Sequence, residues 1–152
     1  MCGIIASFNK VQHTPEVVLG IVKAFNHIKN RGPDNGSLVI KDREILGFRR
    51  LAIIDLLSGN QPLTNEDRSI WLVMNGEIYN FLEIRAELEH QGVTFKSHTD
   101  TEVILAAVQH LGVEKAVSKF EGMFALALWD RKERCLWLAR DRVGKKPLYY
   151  GW

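Results

Sequence analysis

Residues 123–129 read Met-Phe-Ala-Leu-Ala-Leu-Trp, a strand-length run with no polar side chain. A strand with one wet face alternates apolar and polar residues; a run without alternation marks a strand covered on both faces. Ile70–Met74 (IWLVM) and Ile4–Phe8 (IIASF) have the same character. The closely spaced hairpins around them argue for antiparallel pairing. Two sheets packed face to face, with helices outside, satisfy both demands. The expected fold is therefore α+β, a four-layer α/β/β/α sandwich of two mainly antiparallel sheets.

The remaining elements fit this layering. Cys2–Phe8 reads as the first strand. Thr14-Pro15 supplies a cap and a first-turn proline, and Val18, Ile21, Val22, Phe25 and Ile28 recur at helical spacing, so a helix is expected to about Asn30. Glycine and proline make Arg31–Gly36 a loop. Ser37–Lys41 and Glu44–Arg49 read as a hairpin, Leu51–Asp55 as a short strand, and Leu57–Asp67 as polar and turn-rich. Asn80 with Glu83, and Thr99 with Glu102, resemble capping boxes opening helices that end at Gly92 and Gly112. A short helix is expected over Glu114–Phe120, then strands at Met123–Trp129, Cys135–Arg140 and Leu148–Tyr150.

Composition excludes several functions. The 152 residues are of single-domain size, with no repeat or linker, so one domain is expected over residues 1–152. Twenty basic against eighteen acidic residues leave a net charge of +2, too weak a field for nucleic acid or an anionic membrane. No apolar run approaches the roughly 18 residues of a membrane span. No export signal is visible, so a cytoplasmic location is expected. Two cysteines without ligand spacing argue against a metal centre.

Chemistry begins at Cys2. Methionine removal is efficient before a small residue, so Cys2 is expected to become the mature N-terminus. Thiol and free α-amine then share one residue. Such an amine titrates near about 7.7–8.0, close to the working pH that general-base catalysis favours. One residue would hold nucleophile and base together. Position alone does not establish this, since Cys2 is also simply a small apolar residue in a strand.

Seven ordered blocks supply the context: Cys2-Gly3-Ile4, Arg31-Gly32-Pro33-Asp34, Arg50–Asp55 (RLAIID), Asn75–Asn80 (NGEIYN), Thr99-Asp100-Thr101-Glu102, Gly122–Ala125 (GMFA) and Arg140–Tyr150 (RDRVGKKPLYY). Together they resemble the glutaminase domain of glutamine-hydrolysing asparagine synthetases, class II glutamine amidotransferases with an N-terminal nucleophile hydrolase fold. The resemblance implies hydrolysis of L-glutamine to glutamate and ammonia through a thioester on Cys2. It gives the oxyanion hole to the Asn75 amide and the Gly76 N–H. A hairpin turn is the competing reading of Asn-Gly. Arg50 is implied for the substrate α-carboxylate, a role suited to a guanidinium fork. Asp100 is implied for its α-ammonium, with Gly76 and Glu77 nearby, although an acidic residue in a first helical turn is also favoured by the helix dipole. Leu51 and Ile53 would line the slot. Ala52 stands where the family often has serine, and Asn30 where it often has histidine. Arg49 is expected to face away and be solvated, and Cys135 to be an inert thiol; His98, two residues from Asp100, is read as a solvated loop residue, with contact to the site as the alternative.

The resemblance also implies a partner, an ATP-dependent synthetase domain that would receive the ammonia, with aspartate as acceptor. Its pyrophosphate loop is not in this sequence. No cofactor is expected for the glutaminase half; ATP and Mg belong to the other. Two rivals stand beside this reading. One is a histidine-assisted hydrolase with Cys135 as nucleophile. The other is a catalytically silent binding module, favoured if Met1 is retained.

Overall fold

The computed structural model describes residues 2–51 and 60–152. Strand β1 (Gly3–Phe8) leads to helix α1 (Pro15–His27). Thr14 caps α1 through a 3.5 Å hydrogen bond from the Val17 N–H. The helix tightens into a 3₁₀ turn over Ile28–Arg31, because Gly32-Pro33 follow and the residue before proline is steered out of the helical region. Strands β2 (Asn35–Ile40) and β3 (Glu44–Arg50) form the hairpin. β2 starts two residues earlier than expected, taking Asn35 and Gly36 from the loop, since both pair with the end of β3. A two-residue strand β4 (Leu63–Thr64) breaks the stretch read as turns. Then come β5 (Ile70–Ile78), α2 (Phe81–His90), α3 (Asp100–Leu111), α4 (Val113–Lys119), β6 (Gly122–Asp130) and β7 (Cys135–Arg140). Residues 148–150 form no strand; Tyr149 and Tyr150 are exposed. The expected strand over Leu51–Asp55 falls almost wholly outside the described residues, and Leu51 itself is not in a strand.

Two antiparallel sheets result, ordered β1-β3-β2 and β4-β5-β6-β7. The period of two along β5 and β6 assigns their faces. Leu72, Met74, Phe124, Leu126 and Leu128 face α2, α3 and α4, where Ile84, Leu88, Val103 and Ile104 meet them. Val73, Ala127 and Trp129 face the small sheet and meet Leu46 and Phe48 of β3. Phe8 stacks on Trp129 with ring centroids 4.3 Å apart, joining the sheets. Helix α1 covers the outer face of the small sheet. Its Phe25 ring lies over Gly47, where a Cβ would come within 2.9 Å of it. The layers are thus α/β/β/α, and both faces of β5 and β6 are covered, as their unbroken apolar runs demanded.

Asn80 departs from its expected role. It stands at the start of α2 but makes no side-chain cap. Its amide instead donates to the Lys119 carbonyl (2.9 Å) and accepts from the Glu121 N–H (3.0 Å), tying α2 to the entry of β6. At α3, Thr99 accepts from the Glu102 N–H, while Glu102 reaches past it to the Lys96 and Ser97 N–H groups.

The layering makes a stability prediction. Leu128 is fully buried on the helix-facing side, whereas Leu138 on β7 is 42% exposed. Leu128→Ala should lose about 2–5 kcal/mol in urea unfolding, and Leu138→Ala much less. Equal losses would contradict the assigned faces.

Candidate active site

The site is built along one edge of β5. Its odd-numbered residues bond to β6, as the closing bond from the Tyr79 N–H to the Glu121 carbonyl (2.7 Å) shows. Phe124, opposite Gly76, directs both backbone groups the other way, to Asp141. The even-numbered residues of β5 therefore face the opposite edge, where β4 spans only Trp71 and Leu72. Side chains satisfy most of the remainder. Ile70 N–H donates to Asn65 Oδ1 (2.9 Å), Met74 N–H to Gln61 Oε1 (2.5 Å), and Ile78 N–H to Asp100 Oδ2 (3.0 Å). Gly76 stands between them, and its N–H has no partner among the described residues.

Asn75-Gly76 is therefore not a hairpin turn. Both residues are ladder positions, opposite Ala125 and Phe124. Gly76 has φ +149°, and a Cβ there would run into the Met123 carbonyl and lie 2.6 Å from the Phe124 Cα. Only glycine fits. Asn75 shares the face of Val73, toward the small sheet, and is buried. Its amide has no hydrogen-bond partner among the described residues.

Cys2 sits just before β1, packed against the inter-sheet core. The Leu51 N–H points at its sulfur from 3.4 Å. Arg50, at the end of β3, is buried and donates from Nη1 to Asn60 Oδ1 (3.2 Å). The Arg31–Asp34 loop lies on this strand end: Asp34 N–H bonds the Arg50 carbonyl at 3.0 Å, and a Cβ on Gly32 would come within 2.5 Å of the Arg50 nitrogen. Arg49 does face away from the cavity, but it is held rather than solvated. It bonds the Phe25 carbonyl and Asn26 and stacks 3.9 Å over the Phe25 ring.

Cys2, Arg50, Leu51, Asn75, Gly76, Glu77 and Asp100 all line one cavity of about 220 Å³. That is smaller than the roughly 300–1,000 Å³ of drug-sized sites and suits a single amino acid. Ile53 and Ala52 lie outside the described residues. His98, expected to be a solvated loop residue, lines the cavity as well. Gln61 and Lys146 do too, both buried; Lys146 lies in the Arg140–Tyr150 block without a role assigned to it, and no sequence signal marked out Gln61. Cys135 is not on the cavity. It pairs with Asp130, five residues along β6 from Ala125 and so about 17 Å away along the strand.

Asp100 begins α3 with its carboxylate turned inward. Burial raises its pKa above the ordinary carboxylate value; the hydrogen bonds from Ile78 N–H and from Thr101 offset this only in part. No ion pair among the described residues neutralises it. The cavity thus holds a buried guanidinium, a buried lysine, a carboxylate with no ion pair among the described residues, a thiol, and two donors on β5 without acceptors among those residues.

Comparison with known proteins gives the family and the fold. Residues 1–152 match the glutamine amidotransferase domain family, and the chain belongs to it. Among its relatives, asparagine synthetase [glutamine-hydrolyzing] 1 of Bacillus subtilis is 45% identical over 152 residues, 99% of this chain and 24% of that protein. The probable asparagine synthetase [glutamine-hydrolyzing] of Dictyostelium discoideum is 38% identical over all of this chain and 27% of its own length. The chain thus spans about a quarter of the length of these relatives. Among solved structures, the B. subtilis glutamine phosphoribosylpyrophosphate amidotransferase complexed with ADP and GMP shares the fold. Its TM-score is 0.51 at 22% identity, over 60% of this chain and 22% of that one.

The Asp100 carboxylate yields a prediction with a definite sign. A raised pKa means that the folded state holds a proton more tightly than the unfolded chain. Stability is therefore lost as pH rises from the ordinary carboxylate value through the raised one. Asp100→Asn keeps an acceptor for the Ile78 N–H and removes the charge. Its melting temperature at neutral pH should exceed the parent's, with the gap closing in acid, as differential scanning fluorimetry across pH would record.

Proposed function

We propose that this glutamine amidotransferase domain hydrolyses L-glutamine to L-glutamate and ammonia through a thioester on Cys2, after removal of Met1. The observation that carries the reading is the pair of donors on β5, the Asn75 amide and the Gly76 N–H, in one cavity with the Cys2 thiol. Donors that have no partner among the described residues, in one cavity with a nucleophile, suit a tetrahedral intermediate, whose negative charge gathers on one oxygen.

In this mechanism the free α-amine of Cys2 accepts the thiol proton. The sulfur attacks the side-chain amide carbon, and the carbonyl oxygen becomes an oxyanion between Asn75 and Gly76. The C–N bond breaks as the amine returns the proton to the leaving nitrogen, releasing ammonia. Water, deprotonated by the same amine, attacks the thioester, and the C–S bond breaks to give glutamate and the free thiol. The substrate's α-carboxylate meets Arg50 and its α-ammonium meets Asp100, with Leu51, Ile53 and Glu77 along the slot. These steps need only protein groups and water. We assign ATP and Mg to a synthetase domain that takes up the ammonia, with aspartate as acceptor; the names and greater length of the relatives support this.

Two outcomes test the reading. Cys2→Ala should reduce glutamate release to background while Cys135→Ala keeps the parent rate. Protein shown by mass spectrometry to retain Met1 should be inactive, because an amide nitrogen cannot accept the proton. Full activity with Met1 in place would refute the mechanism. In steady-state kinetics, Arg50→Lys should act mainly by raising KM, because carboxylate binding is shared by ground and transition states. Asn75→Ala should lower kcat by about 10²–10³-fold. The same pattern in both variants would overturn the division of roles.

A further inference from the structure

Gln61 is 7% exposed, and its side chain lies between the two sheets at the cavity. Its orientation is fixed by chemistry. The Met74 N–H can only donate, so the atom facing it at 2.5 Å must be the amide oxygen. The NH₂ end is left over. It has no partner among the described residues, and Gln61 lines the cavity. The backbone is held from the small sheet as well. Ser37 Oγ donates to the Gln61 carbonyl, and Asn60 Oδ1 accepts from both Arg50 Nη1 and Asn35 Nδ2. Residues 60 and 61 thus join Arg50 to the edge of β5.

We propose that the Gln61 amide is a further substrate-binding residue, hydrogen-bonding the α-carboxylate of the bound amino acid beside Arg50. This rests on the glutamine-hydrolysing reading above. A free NH₂ needs an acceptor, which excludes the substrate's ammonium and its amide nitrogen. Two acceptors remain, the side-chain carbonyl and the α-carboxylate. The carbonyl belongs to the donors at Asn75 and Gly76. The Gly76 N–H lies two residues, about 6.6 Å, along the edge from the N–H that anchors Gln61, beyond one shared hydrogen bond. The α-carboxylate has four lone-pair sites, more than one guanidinium fills, and Arg50 is held by the neighbouring residue.

The test is Gln61→Glu, which keeps an acceptor for the Met74 N–H and replaces the donor by a negative oxygen. Binding is measured by calorimetry on the Cys2→Ala protein, with L-glutamine and with L-glutaminamide, whose α-carboxylate is a neutral amide able to donate. The substitution should weaken L-glutamine binding by about 10- to 100-fold. It should leave L-glutaminamide unchanged or improve it; the added buried charge lowers the melting temperature, so both titrations are run well below the melting point of the variant. Unchanged L-glutamine binding, or equal loss for both ligands, would overturn the assignment and leave Gln61 a structural bridge. Failure of the Cys2→Ala protein itself to bind L-glutamine would overturn the hydrolytic reading and this inference with it. If it binds, only the Gln61 comparison decides.

Discussion

A backbone N–H inside a covered sheet has to find an acceptor, and the site grows from how β5 meets that demand. Its neighbour β4 ends after two residues, leaving the rest of the edge to side chains. Asn65, Gln61 and Asp100 each take one N–H. Asn65 stays structural. Gln61 and Asp100 bring a carboxamide and a carboxylate to the cavity in the same act, so backbone satisfaction and placement of the site are one event. Gly76 is the position where no group among the described residues takes over. Its surroundings also forbid a side chain, which keeps the N–H open to the cavity.

Two aspartates show how differently a fold can treat the same group. Asp141 is surrounded by the N–H groups of Lys146, Lys145 and Phe124, led by Lys146, and these hold its pKa below the ordinary value. Its negative charge organises the loop that brings Lys146 to the cavity. Asp100 has one backbone donor from Ile78 and is dominated by burial, so its charge is opposed rather than welcomed. The first arrangement suits a structural anchor, the second a group awaiting a cation. A carboxylate whose pKa burial raises, with no ion pair among the described residues, is common where ligands bind.

The layering was legible because covered strands must be apolar on both faces, and the runs at residues 70–74 and 123–129 obeyed that rule. The site was legible mainly through whole motifs: Cys2, Arg50, Asn75 and Asp100 come from four separate blocks and meet at one cavity. Local rules failed where tertiary contacts outbid them. Asn-Gly is a strong turn signal, yet Asn75-Gly76 is extended because β6 pairs with it throughout. Asn80 is a good cap, yet its amide is taken by Lys119 and Glu121 across the fold. Gln61 could not be found from sequence, and Lys146 stood in its block with nothing to say that it reaches the cavity. A buried glutamine or lysine in a polar stretch looks the same as a solvated one until the chain is folded.

The unneutralised carboxylate at Asp100 reaches beyond catalysis into the life of the polypeptide. A folded state that opposes the charge of a buried carboxylate is weakest when its cavity is empty, and a ligand whose ammonium meets that carboxylate relieves it by mass action. Proteases and chaperones act on the unfolded fraction, which rises as that stabilisation is lost. On the proposed function, the amino acid that fills the cavity is therefore also a folding ligand, and scarcity of it shortens the time the chain survives.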